Sequence, residues 1–410
     1  AFFGLLFSFL IFGWMAMHQF IPALVAYISM VILPKGLAAK ITFAFAFLYL
    51  SVCHVYRMSI DYLGWSLDFS SLQMLATLKI ISCAFNVYDG TKPDDQVIPI
   101  WRKNSINRVP NPLEYISYLT FYPCVLSGPV YELRDYLRFI ETPSKDLPWS
   151  PLQIGKMAGS SLWCMGLYLL LSPYFSPETL KAPYIYTVSF GRAVFDAIMV
   201  GIATRQKYFV AWYLAEGAAV TAGFGFDPLT KKWDQIEHAD FFGVEFAVNL
   251  RGLIINWNKA VSRWLRYYVY TRVGPIEAHV PGGRKKPTLI NTIVTFSVSA
   301  LWHGFYPGYY LMWTVMAIAQ NVATGMHRKT RPRIINDANK AESEVKKTIY
   351  KFFGWVLTVL TVAYYTTSFQ LLDFHDSVRW FNRMYWSGHI ITIALFAIIT
   401  VLPAPKVKAA

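Results

Sequence analysis

The amino-acid sequence predicts an all-α polytopic membrane protein, and three observations carry the prediction. Of its 410 residues, 55% are hydrophobic, 17% aromatic and only 15% charged, whereas an average soluble domain is about one-quarter charged. Mean hydropathy is positive, at +0.35. Long apolar runs recur along the whole chain, separated by short and mostly basic connections. A disordered chain, a coiled coil and a small disulfide scaffold are excluded by these values.

A membrane-spanning helix needs about 20 mostly apolar residues. Ala1 to Leu33 is long enough for one kinked span or two short ones and ends at Pro34–Gly36. Lys40–Met58 follows, with Lys40, His54 and Arg57 as its only basic groups and no carboxylate. Leu72–Val87 is apolar but short, ends in the turn Asp89–Gly90, and reads as a re-entrant segment. Residues 89–114 are polar, with Lys92, Asp94, Asp95, Arg102, Lys103 and Arg108, and read as an interfacial loop. Further apolar runs are Tyr115–Val130, Ile154–Leu171, Thr187–Ala203, Phe209–Phe224, Leu289–Thr324, Ile349–Phe369 and Ile390–Val401. The total is about nine to eleven transmembrane or re-entrant helices. Several are too short or too interrupted for simple spans, and non-helical backbone at membrane depth is tolerated only inside protein or against a wet cavity. A single integral membrane domain over residues 1–410, built around an internal chamber, follows. The first residue is Ala, so the native N-terminus is expected upstream, with a targeting segment or a further helix.

The 38 Lys and Arg outnumber the 24 Asp and Glu, for a formal net charge of +14. These bases stand in short clusters between apolar runs, as the positive-inside rule and attraction to anionic lipid or a phosphorylated substrate require, and not as a nucleic-acid surface does. Cys53, Cys83, Cys124 and Cys164 lie in or beside apolar runs with no CxxC spacing, so they read as core residues in a reducing setting. Residues 256–286 are different. Asn256–Arg272 is amphipathic at helical spacing: Trp257, Val261, Trp264, Leu265 and Tyr268 share one face, and Lys259, Arg263 and Arg266 the other. Such a helix can lie in the headgroup plane. A basic loop with Gly282, Gly283, Arg284, Lys285 and Lys286 follows it.

The residue richest in chemical information is His303. Its apolar run is broken by Gly304, Pro307 and Gly308, and Thr292, Thr295, Ser299 and His303 fall on one helical stripe. Ionisable groups at membrane depth are expensive and usually functional; the alternative is a packing histidine satisfied by the stripe's hydroxyls. His18 and His54 lack such a stripe and read as packing residues, while His238, His279, His327, His375 and His389 stand near charges or segment ends and read as solvated. There is no HExxH, no GxSxG elbow, no Walker loop, and no His followed by Asp five positions on. Only Cys53 has a base beside it, His54, and helical neighbours point about 100° apart, so no cysteine nucleophile is expected.

At His303 the sequence resembles a known family. Trp302–His303–Gly304–Phe305–Tyr306–Pro307–Gly308–Tyr309 is similar to the WHGxxPGY motif of lysophospholipid acyltransferases in the membrane-bound O-acyltransferase (MBOAT) family. Arg205–Gln206–Lys207–Tyr208–Phe209–Val210–Ala211–Trp212 resembles its RxKYYxxW, with Phe at the second Tyr, and Trp257–Asn258 with Trp264–Leu265–Arg266 its WN…WLR. Leu78–Lys79–Ile80 through Tyr88–Asp89–Gly90, and Ser127–Gly128–Pro129–Val130–Tyr131–Glu132, also look like this subfamily. The order is right over about Lys40 to Pro405. The 45 residues from Asn258 to His303 are somewhat more than the family's spacing, with the excess in the Gly/Lys-rich loop.

The resemblance implies acyl transfer from acyl-CoA to the sn-2 hydroxyl of a lysophospholipid, nearest to the broad-specificity lysophosphatidylcholine type, with no cofactor beyond acyl-CoA as co-substrate. It implies an MBOAT-like bundle, His303 as general base, and Asn258 as the partner of the histidine, orienting His303 or the acceptor hydroxyl or donating to the oxyanion. Arg205, Lys207, Tyr208, Trp212, Trp302, Gly304, Pro307 and Tyr309 are then expected to line the substrate chamber, although Arg205 and Lys207 also fit ordinary interfacial snorkelling. Glu216, eleven residues after Arg205, is expected near the same helical face as its ion partner. Arg266, Arg272, Arg284, Lys285 and Lys286 are candidate contacts for the CoA phosphates. Residence in the endoplasmic reticulum membrane is expected from the class, and Lys406 and Lys408 resemble a KxKxx retrieval signal. Other readings are an MBOAT enzyme for diacylglycerol, sterol or protein, against which the Pro307–Gly308–Tyr309 context argues, and a multi-pass transporter, whose paired repeats and intramembrane charges are not evident.

Overall fold

Lipid offers backbone N–H and C=O groups no partner, so a chain this apolar must satisfy them within its own helices. The computed structural model, which describes residues 1–64, 68–181, 183–228, 230–275, 288–335 and 340–403, is built from helices; a single isolated bridge, Asp227 to Lys232, is the one extended pairing among the described residues. Among the described residues, four helical stretches are long and apolar enough to cross a membrane: Phe2–Ile32, Lys35–Ile60, Pro151–Leu171 and Glu344–Leu371. A pair of helices bent by 73°, Phe374–Arg383 and Ser387–Val401, makes a possible fifth. The larger number expected from the sequence counted short and re-entrant helices as well. Large apolar side chains such as Leu152, Leu162, Leu169, Ile390 and Ile393 point outward, where lipid in place of water would cover them.

The chain divides into two units. The first comprises Ala1–Met165, Tyr208–Ala239 and Asn258–Phe305. It holds α1 (Phe2–Phe12), α2 (Phe20–Ile32), α3 (Lys35–Ile60), α4 (Ser70–Gly90), α5 (Pro99–Asn104), α6 (Pro112–Leu119), α7 (Leu133–Glu141) and most of α8 (Pro151–Leu171). The second comprises Gly166–Lys207, Asp240–Trp257 and Tyr306–Ala410. It begins with α9 (Tyr184–Thr187) and the first half of α10 (Phe190–Thr221), whose second half belongs to the first unit. It continues with α11 (Phe241–Glu245) and α12 (Leu250–Asn256). The chain then returns to the first unit for α13 (Lys259–Tyr268) and α14 (Leu289–His303), and ends in the second with α15 (Pro307–Ile334), α16 (Lys340–Leu371), α17 (Phe374–Arg383) and α18 (Ser387–Val401). The expected break after His303 is present: α14 stops there, and Pro307 opens α15 at the position where its missing N–H costs nothing.

α4 is the axis of the first unit. The sequence suggests a short re-entrant piece here, Leu72–Val87, ending in a turn at Asp89–Gly90, and the stretch carries the polar residues Gln73, Thr77, Asn86 and Asp89. In the structure it is a 21-residue helix and those polar residues are buried inside protein. Lys79, 1% exposed, donates to the carbonyls of Leu119 (3.2 Å) and Tyr118 (3.5 Å) and to the Tyr131 hydroxyl (3.2 Å), and lies 4.4 Å from the Tyr131 ring centroid. Asn86 and the Tyr268 hydroxyl both donate to the Glu132 carboxylate, at 2.9 and 2.5 Å. The upstream sequence motifs are thus a satisfied polar network inside the core.

Two tryptophans hang the motif-bearing helices on α4. Trp264 of α13 donates its indole N–H to the Leu78 carbonyl at 2.8 Å, and Trp302 of α14 donates to the Met74 carbonyl, one turn earlier, at 3.0 Å. Around them Phe47, Leu50, Leu78, Val261, Trp264 and Trp302 form one core. The amphipathic stretch expected over residues 256–272 thus packs its aromatic face on protein and leaves Arg266 exposed. The aromatic face of α13 turns into protein, where the buried Trp264 N–H finds a carbonyl. The helix is also shorter than expected: α12 ends at Asn256, and Asn258, in the left-handed region at φ 39°, starts α13 afresh. Residues 89–114 contain α5, and Trp101 of α5 donates to Thr271 at 2.9 Å. Arg272 meets Asp89 through two hydrogen bonds, 3.1 and 2.6 Å, between the rings of Phe85 and Trp101 at 4.3 Å each. That commitment removes Arg272 from the candidate CoA contacts. All four cysteines are buried and none is disulfide-bonded. His279, the loop 282–286, Lys406 and Lys408 lie outside the described residues.

Replacing Trp264 or Trp302 by Phe keeps the ring and removes the donor, which should lower stability by about 0.5–1.5 kcal/mol; Trp264→Ala should cost about 3–5 kcal/mol. Thermal unfolding of the detergent-solubilised variants measures both.

Candidate active site

His303 is the last residue of α14, half-buried, its ring 4.7 Å from that of Trp302. The chain can turn directly after it because Gly304 adopts φ 119°, ψ −160°, a region essentially closed to other residues. A Cβ on Gly304 would also approach the His54 ring to 3.2 Å. His54, buried on α3, donates from Nε2 to the Trp302 carbonyl at 3.0 Å. The hydroxyl stripe behaves as expected: Ser299 is buried and Thr292 and Thr295 are half-buried, while Ile293 and Ser297 on the opposite side are exposed. At the start of α14 the Asn291 amide donates to the carbonyls of Tyr270 and Val273, at 3.1 and 2.8 Å, so both ends of the helix are fixed.

Asn258 is half-buried and caps α13, its Oδ1 accepting from the Val261 N–H at 3.3 Å. With the oxygen used as a cap, the amide N–H₂ is the part of this side chain with chemistry to offer. Ala260, Val261 and Trp302 share a core. Asn258 and His303 therefore flank one patch of packed side chains, the first opening α13 and the second closing α14.

A second histidine lies beside the start of α13. His238, read from the sequence as solvated, is 2% exposed and stacks on Trp212 at 4.9 Å. Its backbone N–H donates to Glu216 (3.1 Å), and its carbonyl accepts from the Lys259 N–H (2.6 Å). Gly128, at φ 86°, lies so close that a Cβ there would come within 3.0 Å of the imidazole. Its Nδ1 is buried and has no hydrogen-bond partner among the described residues. Residues 127–129, 212–216 and 258–259, three separate motifs in the sequence, thus meet around His238. Flanking apolar Ile236 and Ala239 are the only sequence signal that set it apart from a surface histidine.

The remaining candidates divide between the units. Tyr208, Trp212 and Glu216 belong to the first, with the Tyr208 and Trp212 rings 5.7 Å apart one turn along α10. Arg205, Lys207, Pro307 and Tyr309 belong to the second. There Arg205 forms a two-pronged ion pair with Glu245, at 2.8 and 2.5 Å, at the wall of a small cavity that Val244, Thr358 and Val362 also line. The expected Arg205–Glu216 pair is therefore not formed. Eleven residues bring two positions to one helical face but leave them three turns apart, about 16 Å along the axis, beyond the reach of both side chains. Tyr309 packs on Phe369 with ring centroids 4.9 Å apart, and a Cβ on Gly308 would lie 2.0 Å from the Ser368 carbonyl oxygen, so the second half of the His303 motif serves close packing of α15 on α16.

Chemically, an imidazole held at a helix end suits proton abstraction from a hydroxyl, and an amide donor fixed at the start of α13 suits an oxyanion. Gly304→Ala forces a Cβ into both the forbidden backbone region and the His54 ring; a stability loss of about 1–3 kcal/mol is expected from the backbone alone, read as a lowered thermal midpoint.

Comparison with known proteins places the chain in a family. The model of the membrane-bound O-acyltransferase family matches residues 60–367. Lysophospholipid acyltransferase 2 of Arabidopsis thaliana is 30% identical over 425 residues, covering 99% of this chain and 87% of that protein. Lysophospholipid acyltransferase 1 of the same plant is 31% identical over 420 residues, covering 98% and 87%. Membrane-bound glycerophospholipid O-acyltransferase 2 of Rattus norvegicus is 30% identical over 428 residues, covering 99% and 79%. With three-quarters of its length matched by the family and its motif residues at the ends of two packed helices, the chain belongs to the membrane-bound O-acyltransferase family.

Proposed function

We propose that this protein moves a fatty acyl group from acyl-CoA to the free sn-2 hydroxyl of a lysophospholipid, with lysophosphatidylcholine the favoured acceptor and other headgroups also used, and so remodels membrane phospholipids. The observation that carries the reading is the likeness, at about 30% identity over nearly the whole chain, to relatives named for lysophospholipid acyl transfer. The placement of His303 and Asn258 supports it chemically.

In this reading His303 takes the proton of the sn-2 hydroxyl as its oxygen attacks the thioester carbonyl, forming a C–O bond. The tetrahedral intermediate collapses with cleavage of the C–S bond, and the imidazolium returns the proton to the departing CoA sulfur. A hydroxyl is a poor nucleophile at its own pKa and needs such a base. Because the Asn258 oxygen is occupied as a helix cap, its amide N–H is the group that donates, to the attacking hydroxyl or to the oxyanion. No cofactor is required beyond acyl-CoA as co-substrate. Exposed Arg266 remains a contact for the CoA phosphates. Use of cytosolic acyl-CoA fits residence in the endoplasmic reticulum membrane.

Purified protein supplied with labelled oleoyl-CoA and lysophosphatidylcholine should form phosphatidylcholine, and His303→Ala should reduce turnover by about 10²–10⁴-fold, the usual worth of general-base catalysis, without loss of folded protein. No product with any lysophospholipid, from folded wild-type protein, would shift the reading to diacylglycerol, sterol or protein acceptors. Asn258→Asp separates cap from donor. It keeps the oxygen that stabilises α13 and removes the N–H, so turnover should fall severely while the thermal midpoint stays close to wild type. Retained turnover would leave Asn258 a cap alone.

A further inference from the structure

His54 stands 248 residues before Trp302 in the chain, yet its Nε2 reaches the Trp302 carbonyl at 3.0 Å. That carbonyl is one of the last of α14, a set without intrahelical donors. Gly304 N–H serves the carbonyls of Ala300 and Leu301, at 3.1 and 3.2 Å, and His54 serves the next one along. Since a carbonyl only accepts, the bond requires the proton on Nε2 of His54. The same ring sits against Gly304, where an added Cβ would approach it to 3.2 Å. Trp302 is held at its other end by the indole bond to Met74. Both neighbours of His303 are therefore fixed by His54, one through a hydrogen bond and one through ring contact.

We propose that His54 is a positioning residue for acyl transfer, acting as a side-chain cap on α14 that sets the direction in which His303 presents its imidazole. The proposal rests on the acyl-transfer reading of His303. His54 itself does not touch the reacting atoms. It acts on the last turn of the helix, where a displacement of the base by about 1 Å is enough to cost about a hundredfold in rate.

The test compares His54→Leu, similar in bulk but without a donor, with His54→Gln, whose amide N–H₂ stands about where Nε2 does. Two readouts are taken on detergent-solubilised full-length protein. In kinetics with oleoyl-CoA and lysophosphatidylcholine, Leu should lower kcat at least tenfold with both KM values within about threefold of wild type, and Gln should restore kcat to within about threefold. In hydrogen–deuterium exchange, amides of the peptide covering Trp302–Phe305 should exchange at least tenfold faster in the Leu variant and return toward wild type with Gln, while α13 is unchanged. Wild-type kcat or unchanged exchange in the Leu variant overturns the proposal. So does a general loss of protection across α3, α4 and α14 in both variants, which would make His54 a packing residue only. Should wild-type protein acylate no acceptor, the exchange experiment still decides the role of His54, and the failure belongs to the acyl-transfer reading.

Discussion

Two indole N–H groups and two backbone carbonyls, one helical turn apart on α4, set the geometry on which the first unit depends. Trp264 and Trp302 are large, rigid and each equipped with one donor, and in apolar surroundings that donor cannot be left without an acceptor at a cost below a few kcal/mol. Each therefore settles where a carbonyl is within reach, and the carbonyls of Leu78 and Met74 are the ones chosen. The helix that Asn258 begins and the helix that His303 ends become neighbours through a third helix that carries neither residue.

The demand on α4 explains its composition. A helix that receives side chains from several neighbours cannot be a plain lipid-facing span. Its Lys79, Asn86 and Asp89 are each met inside the protein, by carbonyls and a tyrosine, by Glu132 and by Arg272. A buried charge left unpaired is strongly destabilising, so these partners are as necessary as the apolar packing around Phe47 and Leu50. Rigidity built this way allows His303 and Asn258 to be presented from helix ends, where backbone turns sharply, without being set on loose loops.

The parts legible in the sequence are those written in short windows. Hydropathy and composition place the chain in a membrane, the Gly304–Pro307 break separates α14 from α15, and the hydroxyl stripe marks the buried side of α14. Long-range pairings were not legible. Nothing near His54 indicates Trp302, and nothing near Arg205 singles out Glu245 from Glu216, because the choice depends on how distant helices stand against one another. His238 was misread for a related reason: polar neighbours along the chain suggested solvent, whereas its surroundings in space are Trp212, Gly128 and the Lys259 turn. The hydropathy of α4 misled in the opposite sense, since polar residues facing protein and polar residues ending a span look alike in one dimension.

The burial of all four cysteines has a practical consequence for study of the native protein. Thiol alkylation needs contact between reagent and sulfur, and a buried thiol offers reagents no access. Maleimides applied to the folded chain thus meet an essentially silent background. A single cysteine introduced on an exposed position of one connection, such as Lys145 or Asp95, becomes the one accessible thiol among the described residues. Membrane-permeant and impermeant reagents applied to such variants in turn would assign each connection to one side of the bilayer.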